Sequence, residues 1–322
     1  MPKIGRHISR LSGYAPALPT PFGKDGNIDT AAFEELCHSQ IRHGATALVV
    51  CGTTGEAPTL SPAEHTTLIQ IAVGIARGQV PVIAGAGSNS TSHAIELTRE
   101  AEVAGADAIL SVVPYYNKPT QTGMYEHFRA IAQSTGLPII LYDVPSRTAC
   151  GLADETIARL AALPRIIGLK DATGDVTRPL RLRTLVGPNF RLLTGDDATA
   201  LAFISQGGHG CISVTSNVAP GLCRQMFLAC REGQTATAQR WAMAIAKLTA
   251  ALFRESSPAP LKYALSLLGL MSPQVRLPLV EVTDATKAEV ETVVAYLIEN
   301  FSDYLIAKAS EPAATGRRAV AR

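Results

Sequence analysis

Ala104-Gly105-Ala106-Asp107-Ala108-Ile109-Leu110 joins a helical segment, through a glycine, to an apolar run. The same junction recurs as His43-Gly44-Ala45-Thr46-Ala47-Leu48-Val49 and Gly207-Gly208-His209-Gly210-Cys211-Ile212-Ser213. A glycine just past a helix takes the left-handed conformation that ends it at no Cβ penalty. Outward from these junctions, short apolar runs alternate with segments of helical period at a spacing of roughly 30 residues. The runs fall at 14–18, 47–51, 80–84, 108–113, 138–142, 166–170, 191–194 and 210–214. Parallel strands need a crossover connection, so a repeated strand–helix unit predicts a parallel sheet. Eight such units over about 225 residues predict a closed (β/α)8 barrel rather than an open doubly wound sheet, which usually has fewer strands.

Helix starts are marked by their caps. Asp29 precedes a helix predicted over 30–43, and Ser61-Pro62-Ala63-Glu64 reads as a capping box with proline at the first helical position. Thr91, Gln121, Asp154 and Asp197 open others, Asp197 being read as a cap rather than an acid. After residue 214 the strand signal stops. The expected organisation is an N-terminal arm at 1–13, a catalytic barrel at 14–219, a C-terminal helical domain at 220–302 and a disordered tail at 303–322. Within the helical domain, 236–253, 259–268 and 286–301 are the clearest segments.

The chain has 322 residues, 47% hydrophobic and 17% charged, enough for a large core. Net charge is +2 with the signs interspersed, so neither a nucleic-acid nor a membrane surface is expected, and basic residues gather only at Arg317, Arg318 and Arg322. No apolar run approaches the roughly 18 residues of a membrane span, and Lys3, Arg6 and Arg10 have no apolar stretch behind them. Six scattered cysteines without a CxxC pair read as reduced thiols of a cytoplasmic protein. The seven histidines lack metal-ligand spacing, so no metal or other cofactor is expected; activity that survives a chelator would support this.

Active sites of such barrels gather at the C-terminal strand ends. The sixth strand ends in Ile166-Ile167-Gly168-Leu169-Lys170-Asp171-Ala172-Thr173-Gly174. By the two-residue strand period Ile166 and Gly168 share the face of Lys170, which would stand over an apolar interior, while Asp171 points to the opposite face. Desolvation disfavours an ammonium ion and leaves free amine able to form a Schiff base with a carbonyl. Taken alone, a salt-bridged or anion-binding lysine is the commoner outcome.

The other strand ends supply partners. Gly52-Thr53-Thr54-Gly55-Glu56 puts two hydroxyls in a turn whose backbone N–H groups can hold a carboxylate, or forms an ordinary glycine turn. Three tyrosines lie at mouth positions in a chain only 5% aromatic: Tyr115, Tyr116 and Tyr142. Tyr142 would project inward beside Lys170 and move protons there, with Thr53 as a link to a second tyrosine; a packed tyrosine with a satisfied hydroxyl is the alternative. Arg147 suits a substrate carboxylate or is a solvated surface arginine. Gly195 and Ile212 would offer backbone and apolar wall to a small substrate.

These motifs, together with Tyr115-Tyr116-Asn117-Lys118-Pro119, Val144-Pro145-Ser146-Arg147-Thr148, Gly195-Asp196-Asp197 and Ile212-Ser213-Val214, closely resemble the dihydrodipicolinate synthase family over about residues 13–301. The resemblance implies a pyruvate-dependent lyase of lysine and diaminopimelate synthesis, within the class I aldolase and N-acetylneuraminate lyase superfamily. It implies an imine of pyruvate on Lys170, and a proton relay of Tyr142, Thr53 and Tyr116, with Tyr116 reaching into a neighbouring subunit. Thr54 would hold the pyruvate carboxylate and Arg147 the carboxylate of aspartate 4-semialdehyde. A tetramer built as a dimer of dimers is implied. Asp143 stands where many members have asparagine. A feedback site for lysine would map near Ala57, His65, Asn89, His93 and Tyr115, with His93 replacing a glutamate of inhibited members. Weak or absent lysine inhibition follows, which micromolar inhibition in steady state would contradict.

Three alternatives remain. A sugar-acid aldolase of the same superfamily usually has serine at the Thr53 position and lacks Arg147. A non-catalytic ligand-binding barrel would have lost the lysine or the tyrosines. A dinucleotide-dependent oxidoreductase is suggested by Gly85-Ala86-Gly87, which lacks the third glycine of the Rossmann fingerprint.

Overall fold

The structure, a computed structural model, describes residues 11–307. All eight predicted strands form: β1 (Gly13–Pro16), β2 (Leu48–Val50), β3 (Val82–Gly85), β4 (Ala108–Val112), β5 (Ile139–Asp143), β6 (Ile166–Asp171), β7 (Arg191–Thr194) and β8 (Gly210–Ser213). They pair in parallel in the order β1-β8-β7-β6-β5-β4-β3-β2. The two ends of that order also meet. Leu18 N–H donates to Val49 O at 2.9 Å and Thr46 N–H to Tyr14 O at 2.9 Å, which closes the ring into the expected (β/α)8 barrel.

Both faces of every strand are covered, which is why the strands read as unbroken apolar runs. Ala47, Val49, Ile83, Ala108, Ile140 and Ile212 fill the lumen with a mixture of small and large apolar side chains. Leu48, Val50, Val82, Leu141, Leu169 and Leu192 pack outward under the helices. The lumen is therefore core, not a pore, and reactive groups are confined to the rim.

One face assignment is corrected. Ile139 pairs with Ile166, but the next pair is Ile140 with Gly168, a register shift that sets two residues of β6 against one step of β5. Ile166 consequently packs outward and Ile167 enters the lumen. A strict period of two fails across such an irregularity, and it put Ile166 on the wrong face. Beyond it alternation resumes, so Lys170 still points inward.

The caps follow from local chemistry. Asp29 accepts from Ala32 N–H, and Ser61 and Glu64 satisfy each other's backbone N–H groups. The helices Thr91–Val103 and Gln121–Gln133 start as read, but Ser90 and Thr120 cap them. Asp197 is not a helix cap. The short helix Ala200–Ser205 has Thr199 before it, whereas buried Asp197 accepts from Ser213 Oγ, Val214 N–H at 2.8 Å and Thr215 N–H at 3.1 Å. It ties the turn after β7 to the end of β8.

After β8 come the helices Pro220–Arg231, Thr235–Leu252, Ala259–Leu267 and Asp284–Phe301. The first lies against β1, so the outer ring of helices continues past residue 219. Packing also continues beyond 302: Leu305 and Ile306 are buried, and Ile306 N–H donates to Val218 O at 2.9 Å. The rest of the expected tail, 308–322, and residues 1–10 of the expected arm lie outside the described residues. Among the described residues no helix is long and apolar enough to cross a membrane.

Candidate active site

The register β5–β6 sets Tyr142 directly beside Lys170 and Asp143 beside Asp171. Lys170 is 6% exposed, and its Nζ lies 4.1 Å from the centroid of the Tyr142 ring. Ile140, Leu193 and Ile212 belong to the apolar lumen cluster that also holds Tyr142, and Ile212 is not part of the cavity lining described below. Gly195 acts through what it lacks. A Cβ there would stand 2.6 Å from Lys170 Cε and 3.1 Å from Cγ, so the absent side chain is the slot that the lysine stem occupies.

The outward neighbours of the same two residues are held together. Arg178, itself buried, donates from Nη1 to Asp143 Oδ2 at 2.8 Å and to Asp171 Oδ2 at 3.4 Å, and from Nε to Asp154 Oδ1 at 2.9 Å. Asp171 Oδ1 accepts from Thr173, so Asp171 serves the loop and the guanidinium rather than Lys170. Burial pushes the Asp143 carboxyl above its ordinary value, opposed by the hydrogen bond and charge of Arg178. A single guanidinium thus fastens the strand ends that carry Tyr142 and Lys170. Sequence reading missed Arg178. Its only signal was an arginine seven residues after Asp171, in a segment without strong periodicity.

A cavity of about 430 Å³ opens beside Tyr142. Thr53, Tyr115, Tyr142 and Arg147 line it, and so do Ala57, His65 and His93. Arg147 is exposed on the short helix Pro145–Thr148. Thr54, although adjacent to Thr53, is buried and is not part of this lining. Tyr116 is not brought to this cavity. It is 89% exposed with φ +71°, a left-handed conformation that costs a bulky residue roughly 1–2 kcal/mol. Asn117 anchors the same turn by donating from Nδ2 to Asn89 O at 2.9 Å.

His65 Nε2–H donates to Gly85 O at 2.8 Å, since a carbonyl oxygen can only accept, and burial pushes the ring below its ordinary value. The His93 side chain is half exposed beside Glu96, at 3.4 Å. Gly85 and Gly87 belong to the barrel rather than to a dinucleotide loop. Added Cβ atoms would meet Cys51 O at 2.2 Å and Val112 N at 2.4 Å, so close backbone packing accounts for both glycines. Among the described residues no group of three or more His, Cys, Asp or Glu is arranged to hold a metal ion.

The arrangement offers a phenol, a hydroxyl and a cation around one cavity. The buried Lys170 amine lies behind the phenol, against the Tyr142 ring, and is not itself part of the lining. The sequence profile of the Dihydrodipicolinate synthetase family matches residues 10–297. The 4-hydroxy-tetrahydrodipicolinate synthase of Rhodospirillum centenum is 54% identical over 275 residues, covering 85% of this chain and 94% of that protein. The enzyme of the same name from Bradyrhizobium diazoefficiens is 49% identical over 288 residues, covering 89% and 97%. The crystal structure of the chloride-inhibited dihydrodipicolinate synthase from Acinetobacter baumannii complexed with pyruvate superposes with a TM-score of 0.86 at 42% identity, over 88% of this chain and 98% of that one.

Proposed function

The chain belongs to the dihydrodipicolinate synthetase family, and from that premise we propose that it condenses pyruvate with L-aspartate 4-semialdehyde to 4-hydroxy-tetrahydrodipicolinate, a lyase reaction of lysine and diaminopimelate synthesis. The observation that carries the reading is the Lys170 amine, removed from bulk water, beside the Tyr142 ring at the end of neighbouring strands.

In this reading the Lys170 amine attacks the keto carbon of pyruvate, and the carbinolamine loses water to give an imine. Tyr142 supplies and accepts the protons, relayed through Thr53 and through Tyr116 of a second copy of the chain. Thr54 and backbone amides of its turn hold the pyruvate carboxylate. Loss of a proton from the methyl carbon gives an enamine, which attacks the aldehyde. The amine of that substrate then displaces Lys170 as the ring closes. Arg147 at the cavity rim receives the carboxylate of the semialdehyde, for which a planar guanidinium is suited. Exposed Tyr116 supports assembly through this loop, and we propose a tetramer built as a dimer of dimers, working in the cytoplasm.

The competing reading is a sugar-acid aldolase using the same imine. Thr53 and Arg147, both lining the cavity, favour the synthase. A coupled assay that offers the protein pyruvate with aspartate semialdehyde, and separately N-acetylneuraminate and 2-keto-3-deoxy-gluconate, decides between them. Turnover with the semialdehyde is expected; turnover with a sugar acid alone would overturn the proposal.

A further inference from the structure

The turn after β2 ends in Glu56, whose backbone is left-handed at φ +55° and whose side chain is almost fully buried. A carboxylate in such a place is costly unless its oxygens are bonded. Both are. Oε1 accepts from Lys262 Nζ at 2.7 Å and Oε2 from Arg276 N–H at 2.9 Å. Lys262 lies 206 residues away in sequence, on the helix Ala259–Leu267, and is 0% exposed. The Lys262 nitrogen and the Arg276 guanidinium both stack on the Phe22 ring, at 4.1 and 4.2 Å from its centroid. Arg276 continues to Glu64 at 2.9 Å and to Thr59 O at 2.8 Å. From the other side, Thr20 Oγ1 donates to Gly55 O at 2.6 Å.

Stability alone is a weak reason for this arrangement. A buried ion pair is often no better than well-packed apolar side chains of the same volume, because desolvation offsets the attraction. Burial does press on Lys262, pushing it down to about 8 against the favourable charge of Glu56, with Arg276 adding to the downward push. What the buried carboxylate provides and an apolar contact does not is direction: the bond from Lys262 Nζ fixes one oxygen, the bond from Arg276 N–H fixes the other, and together they fix the end of the turn that carries Thr53 and Thr54.

We propose that Glu56 and Lys262 are a positioning pair through which the C-terminal helices hold the 52–56 turn in the geometry that receives the pyruvate carboxylate. The proposal rests on the pyruvate reading above. It gives the helices that follow the barrel a task at the active site, although Lys262 does not line the cavity.

The test uses the full chain as wild type, Lys262→Met, Glu56→Gln and the double variant Glu56→Gln/Lys262→Met. Lys262→Met leaves a buried carboxylate without its cation; it is expected to lower the melting temperature and to raise the KM for pyruvate about tenfold or more, as for loss of a charge-assisted hydrogen bond. The KM for the aldehyde substrate should change little. The double variant removes the unpaired charge, so the melting temperature should recover while the KM for pyruvate stays high. A pyruvate KM equal to wild type in the double variant would overturn the proposal, since the pair would then be a structural tie only. Hydrogen exchange of the amides at 52–60 in the double variant gives a readout independent of substrate. Faster exchange than in wild type supports the positioning role, and unchanged exchange contradicts it. If the wild type fails to turn over pyruvate, the pyruvate reading falls and the exchange measurement alone decides whether the pair orders the turn.

Discussion

Lys170 and Tyr142 stand at one register on adjacent parallel strands, with the lysine nitrogen 4.1 Å from the centre of the ring. Backbone pairing sets that neighbourhood, and Arg178 holds it from behind by bonding Asp143 and Asp171, the next residue along each strand.

Arg178→Met should therefore injure stability and catalysis together. Removing the cation from a buried network leaves uncompensated carboxylates, at a cost of about 3–5 kcal/mol. Denaturant unfolding should show a loss of that order, and kcat should fall more than KM rises because the phenol and amine lose their mutual alignment. Wild-type stability with wild-type kcat would contradict this account of the guanidinium.

Gly195→Ala should leave the fold intact and slow the chemistry. The new methyl would stand 2.6 Å from Lys170 Cε, so the lysine stem has to move. Displacing a reacting group by about 1 Å can cost on the order of a hundredfold in rate. Rapid-mixing measurement of imine formation with pyruvate should show such a drop, and an unchanged rate would mean that the slot does not position the amine.

Tyr116 yields a prediction across subunits. Its exposure and left-handed backbone suit a side chain whose partner is another copy of the chain. Lys170→Ala and Tyr116→Phe, each nearly inactive alone, should regain activity when co-expressed. A mixed assembly pairs an intact lysine in one copy with an intact Tyr116 from the other. Co-expressed activity no greater than the sum of the two would place Tyr116 outside the relay.

Stability should fall in two stages on acidification. Burial pushes His127 and His209 down to about 4, and hydrogen bonding to Arg276 holds Glu64 down at about 2. A histidine whose folded value lies below the unfolded value near 6.5 is protonated first in the unfolded chain. Its contribution is present above about 6.5 and is lost as the pH falls toward about 4. The Glu64 contribution is present above the ordinary carboxylate value and is lost as the pH falls toward about 2. Melting temperatures across this range should decline accordingly, with His127→Asn weakening the upper stage and Glu64→Gln the lower. A flat profile from about pH 7 to about pH 4 would refute the histidine assignment.

The barrel was legible because its strands are apolar on both faces and its helices end on glycines such as Gly44, Gly105 and Gly207, all of which have positive φ. Lys170, Tyr142, Thr53 and Arg147 were legible as strand-end residues, since a closed barrel sends every strand end to one rim. The irregularity at Ile167 and Gly168 was not. Alternation presumes an unbroken register, and nothing in Ile166-Ile167-Gly168 announces the extra residue. Arg178 and Lys262 escaped for another reason. Their partners Asp143 and Glu56 lie 35 and 206 residues away, and only the closed fold brings them together. Asp197 shows the limit of local rules: its position suits a helix cap, but three donors from the end of β8 compete for its carboxylate and win.

The most direct measurement is borohydride reduction of the protein in the presence of pyruvate, followed by peptide mass mapping. A reduced pyruvate adduct on Lys170, absent without pyruvate and absent from Lys170→Ala, is the expected result. No adduct, or an adduct on any other lysine, would contradict the imine on which the whole reading rests.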